Sequence, residues 1–119
     1  MKTFGECFQK FLDYCGLGGL DMIEELNNSN FKKHIEKGLK LVEFYANWCG
    51  FCKQQFPVLE ELTNIVVGIV DIDENPDLVR EYKVGSYPTF IIFKNGVEAA
   101  RFSGMHSKYD LMNKVMQFL

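Results

Sequence analysis

The stretch "LKLVEFYANWCGFCK", residues 39–53, narrows the fold more than any other part of the chain. Its first half is a near-continuous apolar run of strand length, the pattern of a central strand covered on both faces. Its second half sets two cysteines, Cys49 and Cys52, one helical turn apart behind the only tryptophan, Trp48, where strand gives way to helix. A dithiol, half of a metal site, and two small buried hydrophobes are the three readings of such a pair.

The rest of the pattern surrounds that strand with partners. Met22 to Leu26 is a short apolar stretch, and Asn28, Ser29 and Asn30 are candidate N-caps for a helix carrying Phe31 and Ile35 that Gly38 closes. Helical periodicity runs from residue 50 to about 63 through Phe56, Leu59 and Leu62, and Pro57 inside it removes one backbone bond. "IVVGIVDID" reads as a second buried strand, and Pro76 suits the first position of a short helix between Asn75 and Tyr82. "TFIIF", the turn Asn95-Gly96 and "VEAARF" make a hairpin, followed by a helix from Ser107 to Leu119 with Leu111, Val115 and Phe118 inward. Alternating helices and strands that end in a hairpin and a helix imply an α/β domain, a central mixed sheet flanked by helices on both faces.

Ahead of these elements, "FGECFQKFLDYC" places Phe4, Cys7, Phe8, Phe11, Leu12 and Cys15 on one helical face before "GLGG" stops the pattern. It reads as an added N-terminal helix over residues 1–19, packed by its phenylalanines onto a domain over 20–119. Cys7 and Cys15 would lie about 12 Å apart on that helix, beyond the 7 Å limit for a disulfide, so buried thiols are the expectation.

At 119 residues the chain buries a real core without staples, which frees its four cysteines from a structural role. A net charge of −3 with interspersed signs offers no stripe for nucleic acid and no anchor for an anionic membrane. Glu6, Lys10 and Asp13 interrupt any apolar signal sequence, and nothing reaches membrane-spanning length. The chain therefore reads as a cytoplasmic monomer, a setting in which paired cysteines are usually catalytic or metal-binding. A zinc or iron–sulfur site is disfavoured, because Cys7 and Cys15 lack the short spacing of ligand pairs. No metal and no organic cofactor are expected.

A cysteine attacks as thiolate, and its pKa of about 8.5 falls to roughly 3.5 to 7.5 at a helix N-terminus or in a Cys-X-X-Cys pair. Position assigns the roles. Cys49, at the strand-to-helix junction, receives unpaired N–H groups and the positive end of the dipole, which suits a nucleophile. Cys52, one turn in and shielded, suits the resolving role. Gly50 keeps the turn between them uncrowded, and Trp48 flanks it. Glu43, a carboxylate in an apolar strand, must either face solvent or serve the site.

The motifs "VEFYANWCGFCK", a helix with Pro57, "DIDENP", "VGSYPTFIIFKNG" and then Gly104, in this order, resemble the thioredoxin family across roughly residues 20–119. The resemblance implies the thioredoxin fold and thiol–disulfide oxidoreductase activity at Cys49 and Cys52. It also implies a cis Tyr87-Pro88 bond beside the cysteines, with Tyr87 docking extended peptide, and a substrate surface that includes Trp48, Gly50, Phe51, Pro88 and Gly104. Glu43 takes the place of the family's buried acid, which exchanges protons with the resolving cysteine, here Cys52; desolvation would raise its pKa toward neutrality. Ile69 stands where many relatives carry a lysine near that acid. Protein disulfides as substrates and an NADPH-dependent thioredoxin reductase as electron donor are the partners implied.

The chain departs from the family at Phe51, where thioredoxins usually carry proline and isomerase domains histidine. Phe51 keeps its backbone N–H, which near the helix start would point at the Cys49 sulfur and make the protein more oxidising than its Phe51→Pro variant. Glu43, "FYA" and "SYPT" lean toward isomerase domains, whereas the cytoplasmic reading leans toward disulfide reduction, which is the expectation here. Disulfide isomerase or oxidase activity, and a non-catalytic binding module, are the alternatives. His34 and His106 are expected in surface or capping roles, and Asp71, Asp73 and Glu74 as solvated turn residues.

Overall fold

The computed structural model describes residues 23–62 and 65–119. The expected helix over residues 4–15, its two cysteines and the boundary at residue 19 lie outside the described residues. Nine elements follow in order: β1 Ile23–Leu26, α1 Phe31–Ile35, β2 Leu39–Tyr45, α2 Gly50–Glu60, β3 Val66–Asp71, α3 Pro76–Glu81, β4 Thr89–Lys94, β5 Val97–Ser103 and α4 Lys108–Met116. The strands form one sheet in the order β1-β3-β2-β4-β5, parallel among the first three and antiparallel at β4 and β5. This is the expected mixed sheet, and β2 lies at its centre, buried from Leu41 to Tyr45.

Helices cover both faces. On one, Phe31 of α1 meets Phe44, Phe93 and Tyr82, with ring centroids 6.3, 5.8 and 4.9 Å away. On the other, Phe90 stacks on Phe102 at 5.3 Å and the His106 ring stands edge-on to both. Side chains alternate across a strand, so β2 offers Phe44 to the first face and Leu41, Glu43 and Tyr45 to the second.

Several boundaries differ from the sequence reading. α2 ends at Glu60, two residues before the apolar periodicity does, and Leu62 is buried from the connection beyond it. α4 ends at Met116, leaving Phe118 half-buried and Leu119 exposed. Asn30 holds the N-cap position of α1 without a capping side-chain bond, because its Oδ1 instead accepts from the Asn27 N–H at 2.7 Å. Asn95 and Gly96 both have positive φ, 51° and 86°, which is the backbone a two-residue hairpin loop requires. No helix among the described residues is long and apolar enough to cross a membrane.

Two expectations are corrected by burial. His34 is not a surface or capping residue: it is buried, with Nδ1 2.9 Å from a Glu24 carboxylate oxygen, because α1 turns it back toward β1. Gly68 makes room for it, since a Cβ there would come within 3.0 Å of His34 Nε2 and 2.4 Å of Leu26 Cδ1. Asp71 is likewise no solvated turn residue. It ends β3 inside the protein and organises the loop described next.

Candidate active site

Register brings four loops to one end of the sheet. β2 runs into Ala46 to Cys49, and β3, parallel to it with Tyr45 opposite Asp71, runs into Ile72 to Asn75. β4 runs the other way and pairs its first residue, Thr89, with Phe44, so Pro88 arrives beside the end of β2. β5 pairs Ser103 with Thr89, and Gly104 then donates its N–H to the Pro88 carbonyl at 2.9 Å. Gly104 has φ +88°, a conformation that costs an L side chain. The Tyr87-Pro88 bond is cis, as the family resemblance implies.

The Asp71 carboxylate ties two of these loops together. One oxygen accepts from Asn47 Nδ2 at 3.0 Å and the other from the Asp73 N–H at 2.9 Å, and Asp73 accepts from Trp48 Nε1 at 3.0 Å. Trp48 is thus held by its indole N–H with its ring outward, 66% exposed and edge-on to Tyr87 at 6.0 Å. The sequence signal for this brace is the pair of aspartates one strand-end away from the tryptophan, which spacing alone does not connect.

Cys49 is the N-cap of α2: its backbone is extended, at φ −90° and ψ 117°, and its sulfur accepts the Cys52 N–H at 3.3 Å. The same thiol donates to the Tyr87 carbonyl at 3.6 Å. The amide that reaches the sulfur is therefore the third of the helix, that of Cys52, and the expectation for Phe51 is corrected. An N-cap side chain accepts from the second or third helical N–H, and here the geometry selects the third. The Phe51 side chain points outward and is 62% exposed. A Cβ built on Gly50 meets nothing within 4 Å, so the helix surface at that position is open.

The two thiols differ sharply. Cys49 keeps 9% of its surface in contact with solvent and Cys52 none. Burial, followed by its bond with Cys49, pushes the Cys52 thiol far above the ordinary range, against a smaller opposing effect of the Ala46 backbone. Cys52 thus needs a base before it can attack.

Glu43 is fully buried between its register neighbours Ile69 and Phe90, both themselves buried. Neither carboxylate oxygen has a hydrogen-bond partner among the described residues. Desolvation, and then repulsion from Cys49, hold its carboxyl well above the usual range. The Glu43 charge also acts on Cys52, raising that thiol's pKa, so the acid and the inner sulfur share one field. Of the two options left by the sequence, the structure selects the buried one. Ile69, directly beside Glu43 in the sheet, provides no cation, and protonation is the group's route to neutrality.

One buried polar residue of the site escapes the sequence reading. Gln55 lies three residues after Cys52 on the inward face of α2 and pairs with the His106 backbone: Oε1 accepts from its N–H at 2.8 Å and Nε2 donates to its carbonyl at 2.9 Å. A glutamine at an apolar position of the helix is the only signal it leaves in the sequence. His106 itself stands just before Ser107, whose Oγ caps α4 by accepting the Asp110 N–H at 3.1 Å.

Comparison with known proteins agrees with this geometry. The family model described as thioredoxin matches residues 22–117. The thioredoxin of Chlamydia pneumoniae is 41% identical over 98 residues, covering 79% of this chain and 96% of the relative. A thioredoxin of Staphylococcus epidermidis is 44% identical over 94 residues, covering 75% and 90%. The solved structure of the thioredoxin from Malassezia sympodialis superposes with a TM-score of 0.69 at 28% identity, covering 80% of this chain and 89% of that one. A dithiol on a strand-to-helix junction, in a sheet of this order and with relatives of this kind, makes the chain a protein thiol–disulfide oxidoreductase that belongs to the thioredoxin family.

Proposed function

We propose that the protein reduces disulfides of partner proteins, with Cys49 attacking, Cys52 resolving and Glu43 taking the proton of Cys52. The observation that carries this is the contrast within the pair: one sulfur caps a helix and keeps a margin of solvent contact, and the other is fully sealed within the field of a buried carboxyl. In the first step the Cys49 thiolate attacks one sulfur of the substrate disulfide. The substrate S–S bond breaks, a mixed disulfide forms, and the departing thiolate takes up a proton. In the second, Glu43 in its ionised form, made a stronger base by burial, takes the proton of Cys52, which attacks the Cys49 sulfur; the Cys49–Cys52 bond forms, the mixed disulfide breaks, and the substrate leaves as its second thiolate and takes up a proton. Two electrons pass from the dithiol to the substrate.

The surface around Cys49 fits an extended peptide. Trp48 and Phe51 present exposed rings, Gly50 is exposed between them, and the half-buried Tyr87 and Gly104 lie alongside, with Pro88 buried beneath, bonded through its carbonyl to the Gly104 N–H. The Tyr87 carbonyl, 3.6 Å from the Cys49 sulfur, lies within reach of a substrate backbone. A further cycle needs a new dithiol, for which the family resemblance supplies an NADPH-dependent thioredoxin reductase. The same reading takes the chain as a cytoplasmic monomer and residues 20–119 as the working domain, with 1–19 added to it; the family match beginning at residue 22 supports that division. Reduction of insulin disulfides by the dithiol form tests the proposal. The activity is expected to vanish in Cys49→Ser, and its survival there would refute the assignment.

A further inference from the structure

We infer that Gln55 is a positioning residue for the second chemical step, holding the first turns of α2 at the depth from which Cys52 reaches Cys49. This rests on the roles just proposed for the two cysteines. Three features of the structure converge on Gln55. First, its side chain is wholly buried on the same helix face as Cys52, where an unbonded amide would be costly. Both ends are instead satisfied by the backbone of a single residue 51 positions away, the N–H and carbonyl of His106, at 2.8 and 2.9 Å. Second, Pro57 lacks the N–H that would bond back to the Lys53 carbonyl, which weakens α2 directly after the turn that carries the cysteines. Gln55 lies between Cys52 and that weak point, and replaces the missing axial bond with a lateral one.

Third, the anchor is itself rigid. The His106 ring packs edge-on against Phe102 at 4.8 Å and Phe90 at 6.0 Å, its Nε2 donates to the Ser103 carbonyl at 2.9 Å, and its Nδ1 pairs with Asp110. Phe90 is also the register neighbour of Glu43. The clamp therefore references the helix of the dithiol to the part of the sheet that holds the buried acid. The first attack needs only the Cys49 sulfur, the one of the pair that keeps contact with solvent. The second needs Cys52, Cys49 and Glu43 in fixed relation, and it alone depends on the clamp.

Gln55→Met keeps size and removes both hydrogen bonds. The reduced protein, with Cys7→Ser and Cys15→Ser to remove the other two thiols, is mixed with 5,5′-dithiobis(2-nitrobenzoate) in a stopped-flow instrument. Attack by Cys49 releases one coloured thiolate and resolution by Cys52 a second. In Gln55→Met the first phase is expected to keep its rate and the second to slow by at least about tenfold, the scale of a sub-ångström to ångström misplacement. Should that variant not fold, Gln55→Asn, one methylene short of the His106 peptide, carries the same expectation. His106→Ala, which leaves the backbone partners in place, is expected to resolve faster than Gln55→Met. A second phase as fast as the parent's, or both phases slowed in equal proportion, would overturn the inference while leaving the cysteine roles intact. A parent protein whose first adduct maps to Cys52 would overturn both.

Discussion

Substituting Glu43 by glutamine should remove a specific slope from the dependence of stability on pH. Glu43 is fully buried, flanked by Ile69 and Phe90, and has no hydrogen bond to either oxygen among the described residues, so its carboxyl titrates well above its ordinary value of 4.5. Between that value and the folded pKa, the native state holds a proton that the unfolded chain has lost. The native state binds more protons throughout this window, so stability falls as pH rises, by up to about 1.4 kcal/mol per pH unit for one group. The contribution is complete below pH 4.5, declines above it and is gone once the folded carboxyl ionises. Urea unfolding of the disulfide form at pH 5, 6 and 7 is the assay, because there neither sulfur of the pair adds a charge. The curve for Glu43→Gln should lack the slope. Burial of the amide shifts its offset, while Glu25 and Glu60, whose carboxyls are also raised by burial, contribute equally to both proteins. Parallel curves would refute the burial argument and with it the raised basicity that equips the Glu43 carboxylate to take a proton from Cys52.

Two further substitutions test the frame of the site. Gly104→Ala should cost about 1–2 kcal/mol in urea unfolding, the penalty of a side chain at positive φ, and should raise the KM for insulin by disturbing the bond to the Pro88 carbonyl. Phe51→Pro should leave the reduction potential within about 30 mV of the parent in glutathione equilibration, since the amide on the Cys49 sulfur belongs to Cys52 and survives the change.

Periodicity carries much of this fold into the sequence. "LKLVEFYA" is apolar because β2 is covered on both faces, and Asn95-Gly96 is a hairpin because both residues must take positive φ. The dithiol is legible for the same local reason: a strand ending at Tyr45, three residues short of the helix cap at Cys49, leaves few places for two cysteines one turn apart. What escaped depends on contacts distant in sequence. Whether Asp71 and His34 face water is decided by Asn47 and Glu24, 24 and 10 residues away and each in a different element or loop from its partner, so the periodicity of no single element reports the pairing. Gln55 is the extreme case, satisfied across 51 residues by a backbone unit that has no sequence signature. The donor to Cys49 was misassigned for a smaller reason. Caps accept from the second or third amide alike, and only the dihedral angles of the first turn separate them.

The division of labour between the two sulfurs is tested most directly by trapping. In a Cys7→Ser/Cys15→Ser background, a Cys52→Ser protein incubated with a disulfide peptide should accumulate a mixed disulfide that mass mapping locates at Cys49, while Cys49→Ser accumulates none, because its remaining thiol, Cys52, is fully buried and held protonated. An adduct on Cys52 in Cys49→Ser, formed as fast as that on Cys49, would contradict the account.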